Sequence, residues 1–416
     1  MSILTNVASL GIQLALLAPP TPSAVQIEFG ESMTAFIDGA GRAQSGLQRQ
    51  LRVVHFGDSN IAARAWSNAV ARRLSALSRP GGPGYLLPEP GRTVRSGPVR
   101  VTAGPGWTRR QARFRGRETK VGDGMFGLMG ASLDSAGPGA LLDVRVKPGT
   151  SMTIDIVALC RPNGGTLVIT GGGNTRRLDT GCEQVSVVRE SFDMEGDRPR
   201  LKIHVRGRSV RVLGVSAERP EGGVVYDILG INGHQVSAIG HWNASVIGSQ
   251  LRRRRPDLIV LSYGGNEAFN RELSLPGYRA MLQYAVARVR LLTPNASCLL
   301  TGPIATCPKG RVAAVTPRVR AIIGIQRLVA RQSGCAFWDS AAVSGGADGL
   351  CPWTAARPRM VAPDGLHLSQ RGYTAVGERL GDALMALVRN PKRGTHRINP
   401  LSIQQLYRPP HLQEIP

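Results

Sequence analysis

Residues 51–62 read LRVVHFGDSNIA, and no other stretch constrains the fold of this chain as strongly. An apolar, β-branched run stops at Gly57-Asp58-Ser59, and a segment with helical spacing begins at once. Gly, Asp and Ser are ordinary turn and cap formers, so the tripeptide alone specifies only a strand-to-helix turn. In a sheet covered by helices, the same turn brings Ser59 to the carboxyl edge of a strand, where its hydroxyl can meet groups from elsewhere in the chain.

Four more strand-like runs follow, at about 223–229, 257–263, 297–302 and 335–338. Helical periodicity fills 31–49, 60–77, 246–254, 276–292, 315–332 and 369–388. This alternation predicts an α/β fold: three α/β/α layers around a five-stranded parallel sheet. Between about 91 and 221 the helical period disappears. Short alternating runs such as LLDVRVKP, SMTIDIVAL, GTLVITG and RLKIHVRG are separated by Gly, Pro, Asn and Asp, which predicts an inserted β-sandwich. Residues 25–90 and 222–389 are then two parts of one domain, and 91–221 a second; 416 residues leave room for both.

The ends read differently. Residues 1–24 include VASLGIQLALLAPPTPSA, of the length of a secretory apolar region but without a basic start. They are read as a leader that exports the chain to the periplasm or cell envelope, with a short N-terminal helix as the alternative. Residues 390–416 have prolines, charges and no period, as in an extended basic tail. No run approaches the ~20 apolar residues of a membrane-spanning helix. Six cysteines form no C-x-x-C pair and no zinc pattern; their even number fits disulfides, and free buried thiols are the alternative.

Lys and Arg number 52 against 28 Asp and Glu, a net charge of +24 that favours polyanions such as anionic envelope polymers. Zinc-finger spacing, a helix-turn-helix pattern and aromatic RNA motifs are all missing, so nucleic acid is set aside. GDGMFG at 122–127 fits G-x-G-x-x-G, but no strand precedes it and no helix follows, so it is read as a glycine-rich loop. Neither a metal nor a cofactor is expected.

In a doubly wound sheet ligands gather at the carboxyl ends of the strands, so the loops there belong together. They are Gly57-Asp58-Ser59-Asn60; Gly233 in YDILGINGHQ; Gly264-Gly265-Asn266-Glu267 in VLSYGGNEAFN; and Asp364 with His367 in APDGLHLSQRGY. Asp364 and His367, three apart, can face one way, so that the carboxylate orients an imidazole serving as general base.

In that order the loops resemble the blocks of the SGNH hydrolases, the GDSL-like esterase superfamily. The family's Ser, Gly, Asn and His fall on Ser59, Gly233, Asn266 and His367, and its Asp on Asp364. The chain has GDSN where GDSL is frequent and Glu267 where an Asp is common; neither replaces a catalytic group. HFGDSNIAARAW, GGPGYLLPEPG and GVVYDILGINGHQ are similar to peptidoglycan O-acetylesterases, which carry a β-rich, carbohydrate-binding-like module between the first and second blocks. Many of them have His where this chain has Asn60. The resemblance implies a flavodoxin-like SGNH domain and a serine esterase removing O-acetyl groups from an envelope polysaccharide, peptidoglycan, through an acyl-enzyme. Ser59, His367 and Asp364 are its implied triad. The Ser59 and Gly233 N–H groups and the Asn266 amide are the implied oxyanion hole. Two rival readings are an O-acetyltransferase using the same triad and a non-catalytic wall-binding protein on the same scaffold. The lack of G-x-S-x-G counts against an ordinary α/β-hydrolase elbow.

The remaining polar and aromatic residues read as structural. His55 is expected to pack, His234 and His241 to take surface or helix roles, and Trp107 to be half-buried. The run Arg252–Arg255 is expected to be a solvated helix end complementing the helix dipole.

Overall fold

The structure, a computed structural model, describes residues 25–48, 50–115, 118–120, 122–305, 307, 315–345 and 350–391. The sequence-predicted leader at 1–24 and nearly all of the tail at 390–416 lie outside these residues. Five strands, Gln50–Gly57, Gly223–Gly230, Leu258–Ser262, Ser297–Thr301 and Ala336–Trp338, form one sheet. The second strand lies outside the first, giving the spatial order 2-1-3-4-5, and every pairing is parallel. The order reverses at Gln50–Gly57, and a crevice opens at such a switch point.

Strand alternation sends side chains to two separate cores. Leu51, Val53, Leu258 and Val260 pack with the helices Thr34–Gln44, Ala65–Leu74 and Gln370–Arg389. Val54, Phe56, Ile259 and Leu261 pack with Ala244–Arg254, Leu275–Leu292 and Thr316–Gln332. This is the predicted three-layer arrangement.

The β-rich module between the first two strands is a pair of six-stranded antiparallel sheets. One runs Ser186–Met194, Met152–Cys160, Arg211–Glu218, Ala131–Ser135, Trp107–Gln111, and also takes in Gly84–Leu86 against Arg211–Glu218. That last strand precedes residue 91, so the sandwich draws on chain read as part of the α/β domain. Its apolar inner faces, including Val101, Val144, Ile154, Ile203 and Val212, are continuous with the core behind Val54 and Phe56.

The glycine-rich loop at 122–130 is the seam between the domains. Gln250 on Ala244–Arg254 donates from Nε2 to the Phe126 carbonyl (3.2 Å) and accepts at Oε1 from the Leu128 N–H (3.0 Å). The Asn243 N–H donates to the Gly124 carbonyl at 2.9 Å. GDGMFG thus closes an interdomain contact with its own backbone.

Some element boundaries differ from the periodic reading. The helix expected over 60–77 is a short turn, Ser59–Ala62, a left-handed residue at Arg64 (φ 65°), the helix Ala65–Leu74 and a 3-10 turn. At this bend the Ala62 backbone lies against Gly230, leaving no space for a Cβ at that glycine. The first helix, expected over 31–49, ends at Gln44, before Gly46 with φ 75°.

All six cysteines are paired: Cys160–Cys182, Cys298–Cys335 and Cys307–Cys351. Among the described residues no helix is long and apolar enough to cross a membrane, and no group of His, Cys, Asp and Glu is placed to hold a metal.

Candidate active site

The first strand ends where its neighbours come too close for any side chain. A Cβ on Gly57 would meet the Ile61 side chain and, at 2.8 Å, the Ser262 carbonyl oxygen. Asp58 then caps the following turn, its Oδ1 accepting from the Asn60 N–H at 2.9 Å. A cap at this point leaves Ser59 as the first helical residue, its hydroxyl half-buried at the sheet edge.

His367 approaches from the far end of the chain, 308 residues away in sequence. Its Nε2 lies 3.0 Å from the Ser59 Oγ, and its Nδ1 lies 2.6 Å from the Asp364 Oδ2. A tight turn holds this pair: the Ala362 N–H donates to the His367 carbonyl at 2.8 Å, and Gly365 takes φ 70°. The other Asp364 oxygen accepts from the Leu366 and His367 N–H groups at 2.9 and 3.0 Å. Partial desolvation alone would raise the Asp364 pKa, but the hydrogen bonds from the His367 side chain and from the two N–H groups outweigh it. The carboxyl is held below its usual range and stays charged beside the imidazole.

The Gly233 and Asn266 loops close the third side. Gly233 is exposed at φ 77°, a conformation that favours glycine, in the turn after Gly223–Gly230. Neither its N–H nor that of Ser59 makes a backbone hydrogen bond among the described residues. The Asn266 Nδ2 donates to the His234 carbonyl at 2.8 Å, which fixes the amide plane and leaves the second hydrogen to donate elsewhere. The structure therefore brings all five sequence-predicted residues, Ser59, Gly233, Asn266, Asp364 and His367, into one cluster of loops at the switch point.

Three supporting contacts are not legible from the motifs. Glu267 is buried and ties these two loops together, one carboxylate oxygen accepting from the Val236 N–H (2.7 Å), the other from the Gly264 N–H (3.0 Å). Burial, assisted by the nearby Asp58, pushes its pKa up to about 7 despite those bonds. Asp58 is likewise pushed up by burial, to about 6. Asn60 donates from Nδ2 to Asp58 and accepts at Oδ1 from the Tyr373 hydroxyl at 2.8 Å. Tyr373 follows His367 into the last helix, so this bond pins the histidine turn onto the serine turn.

The other singled-out residues have structural places. His55 is fully buried beneath the sheet, with Nε2 2.6 Å from the Ser262 Oγ and Nδ1 2.8 Å from the Tyr226 hydroxyl; burial lowers its pKa to about 3. His234 is not at the surface: it is buried, with Nε2 3.2 Å from the Ala112 carbonyl of the sandwich. His241 is exposed. Trp107 is more buried than expected, its Nε1 donating to the Leu141 carbonyl at 3.0 Å. Arg254 departs furthest from expectation. It is buried, with Nη2 2.6 Å from Asp227 and Nη1 on Glu218 of the sandwich. The strand at 223–230 places Asp227 beneath the domain seam, and only a buried cation can balance it.

The model of the GDSL-like lipase/acylhydrolase family matches residues 205–375, which hold the Gly233, Asn266 and His367 loops but not Ser59. A solved peptidoglycan O-acetylesterase structure superposes with a TM-score of 0.72 at 25% identity, covering 88% of this chain and 99% of that one. A family two carbohydrate esterase from Cellvibrio japonicus aligns at 11% identity and a TM-score of 0.30, over 70% of this chain and 98% of its own. A lipase/acylhydrolase from Enterococcus faecalis aligns at 17% identity and a TM-score of 0.30, over 42% and 80%. No curated protein matches. Through its GDSL-like domain and the superposition on nearly the whole of an O-acetylesterase, the chain is an SGNH-type carboxylic ester hydrolase resembling the peptidoglycan O-acetylesterases.

Proposed function

We propose that the protein removes O-acetyl groups from a cell-envelope polysaccharide, peptidoglycan, through an acyl-enzyme on Ser59. The observation that carries this reading is the continuous chain from the Ser59 Oγ through the His367 imidazole to the Asp364 carboxylate, with contacts of 3.0 and 2.6 Å. His367 takes the Ser59 proton at Nε2 as the oxygen attacks the acetyl carbonyl carbon. The Ser59 and Gly233 N–H groups and the Asn266 amide receive the charge that builds on the carbonyl oxygen. Collapse of the tetrahedral adduct breaks the bond to the sugar oxygen, which leaves with the proton from His367. Water then attacks the acetyl-serine, His367 takes its proton, and acetate departs as the proton returns to Ser59.

The glycan half of the reading is supported by the 0.72 superposition and by the sandwich joined to the α/β domain beside the site. The sandwich, 91–221 with the strand Gly84–Leu86, is proposed to help place the polymer. Three disulfides support an exported enzyme, since such bonds persist in oxidising compartments.

The test is product analysis on O-acetylated peptidoglycan. Free acetate is expected; acetylated acceptor sugar without acetate would make the protein a transferase, and neither product would remove the glycan reading. Asn266→Ala, which deletes one oxyanion donor, is expected to lower kcat about 100- to 1,000-fold with a smaller change in KM. An unchanged kcat would take Asn266 out of the oxyanion hole.

A further inference from the structure

A groove of about 520 Å³ lies between the two domains beside the serine turn. Its inner wall is Ala62, Arg64, Gly230, Ile231 and Asn232. These residues adjoin the proposed oxyanion donors: Ala62 ends the turn that Ser59 begins, Arg64 follows it, and Asn232 directly precedes Gly233. The groove therefore adjoins the place where an ester carbonyl would meet those donors.

The groove is strongly cationic. Arg64, Arg92, Arg109 and Arg113 line it against a single acid, Glu89. Glu89 is engaged, because its carboxylate accepts from the Arg109 guanidinium, whose Nε also donates to Gln111 at 2.6 Å. Arg64 is placed differently. It stands at the left-handed bend (φ 65°) between the serine turn and the next helix, and its Nη2 donates to the Ser96 hydroxyl of the sandwich at 2.8 Å. Among the described residues no carboxylate pairs with it. Burial pulls its pKa down, the mark of a cation stripped of water without a compensating anion. A guanidinium has five N–H donors in a planar fork that suits a carboxylate, and only one is spent here.

We infer that this groove is an anion subsite, with Arg64 as its inner contact, that takes a carboxylate carried by the acetylated glycan. The inference rests on the O-acetylesterase reading and narrows it to glycans that carry a negative charge near the ester. That carboxylate belongs either to the sugar itself or to a peptide attached to it, and the two sources present the same chemistry to the arginine.

The test compares three probes in the native enzyme: 6-O-acetylated N-acetylmuramic acid as the free acid, the same sugar as its uncharged amide, and the amide extended by alanine with a free terminal carboxylate. One of the two charged probes is expected to exceed the uncharged amide by roughly ten- to a hundredfold in kcat/KM, mostly through KM. The preferred probe identifies the source of the carboxylate. In Arg64→Gln the preference is expected to collapse toward unity, and in Arg64→Lys to survive in part because the charge remains while the fork is lost. Equal kcat/KM for all three probes in the native enzyme overturns the subsite and leaves the esterase reading standing, with no variant needed. A preference undiminished in Arg64→Gln overturns the assignment of Arg64. Hydrolysis of none of the three, with 4-nitrophenyl acetate still turned over, overturns the glycan reading and the subsite with it.

Discussion

Replacing Ser59 with alanine is expected to lower kcat on a simple acetyl ester by about 10⁴- to 10⁶-fold, with the melting temperature nearly unchanged. The size follows from the mechanism proposed above. Without the hydroxyl no acyl-enzyme forms, and His367 can act only on water poorly placed for attack. The fold is spared because the Ser59 Oγ is half-buried and its side-chain hydrogen bond goes to His367 rather than into the core. Groups that act as a unit are not additive, so Ser59→Ala combined with His367→Ala should be little worse than Ser59→Ala alone. Turnover near the native rate in Ser59→Ala, measured by acetate release, would remove Ser59 as nucleophile. A large fall in melting temperature would instead show that the variant had lost its fold.

The second large effect is on stability. Arg254→Ala is expected to destabilise the protein by about 3–5 kcal/mol at neutral pH, read as a lower urea midpoint. Arg254 is buried between Asp227, which is fully buried, and Glu218, which is partly buried. Arg52 reaches the same Glu218 at 2.6 Å, and the Tyr85 N–H donates to Asp227 at 2.7 Å. Removing the guanidinium therefore strands Asp227 without a cation at the seam between sheet and sandwich and leaves Glu218 with Arg52 alone.

A pH series separates this from a loss of packing. Burial alone would raise the Glu218 pKa, but Arg254 and Arg52 together pull it down to about 2. A depressed carboxyl stabilises fully above its unfolded value of 4.5 and loses that contribution as pH falls toward 2. Arg254→Ala removes one of the two cations that depress Glu218, so the gap between variant and native protein should narrow as pH falls through the window from about 4.5 toward 2. A gap that stays constant over that range would mean the arginine acts through its aliphatic stem.

The parts of the site that local pattern encodes were legible before the fold was known. The run into Gly57-Asp58-Ser59 marks a strand end because glycine permits close approach and Asp caps a turn, and both statements concern neighbours in sequence. Likewise Asp364 and His367 meet because a three-residue spacing in a turn brings them to one side, whatever surrounds them. The five parallel strands and their helices were readable from period, since alternation of 2 and 3.6 survives in the sequence whatever the partner. The one long helix expected over 60–77 is broken at Arg64, where the serine turn packs its Ala62 backbone against Gly230, on a strand distant in sequence, a contact that period cannot carry.

What the chain's order of residues determined by itself is the list of reactive groups and the strand ends that bear them. Tertiary structure alone decided how those groups are held and charged. Glu267 reads only as the acid that stands where an Asp is common, yet it becomes a buried clasp between the Gly233 and Asn266 loops. Arg254 reads as one cation in a solvated run, yet it is the counter-ion of a buried acid 27 residues away. Arg64 falls inside a run read as one helix, yet it lines a groove whose other wall is the sandwich. The cysteine pairing was open for the same reason. Desolvation, ion pairing and disulfide closure depend on which distant surfaces come together, and sequence spacing carries no record of that distance.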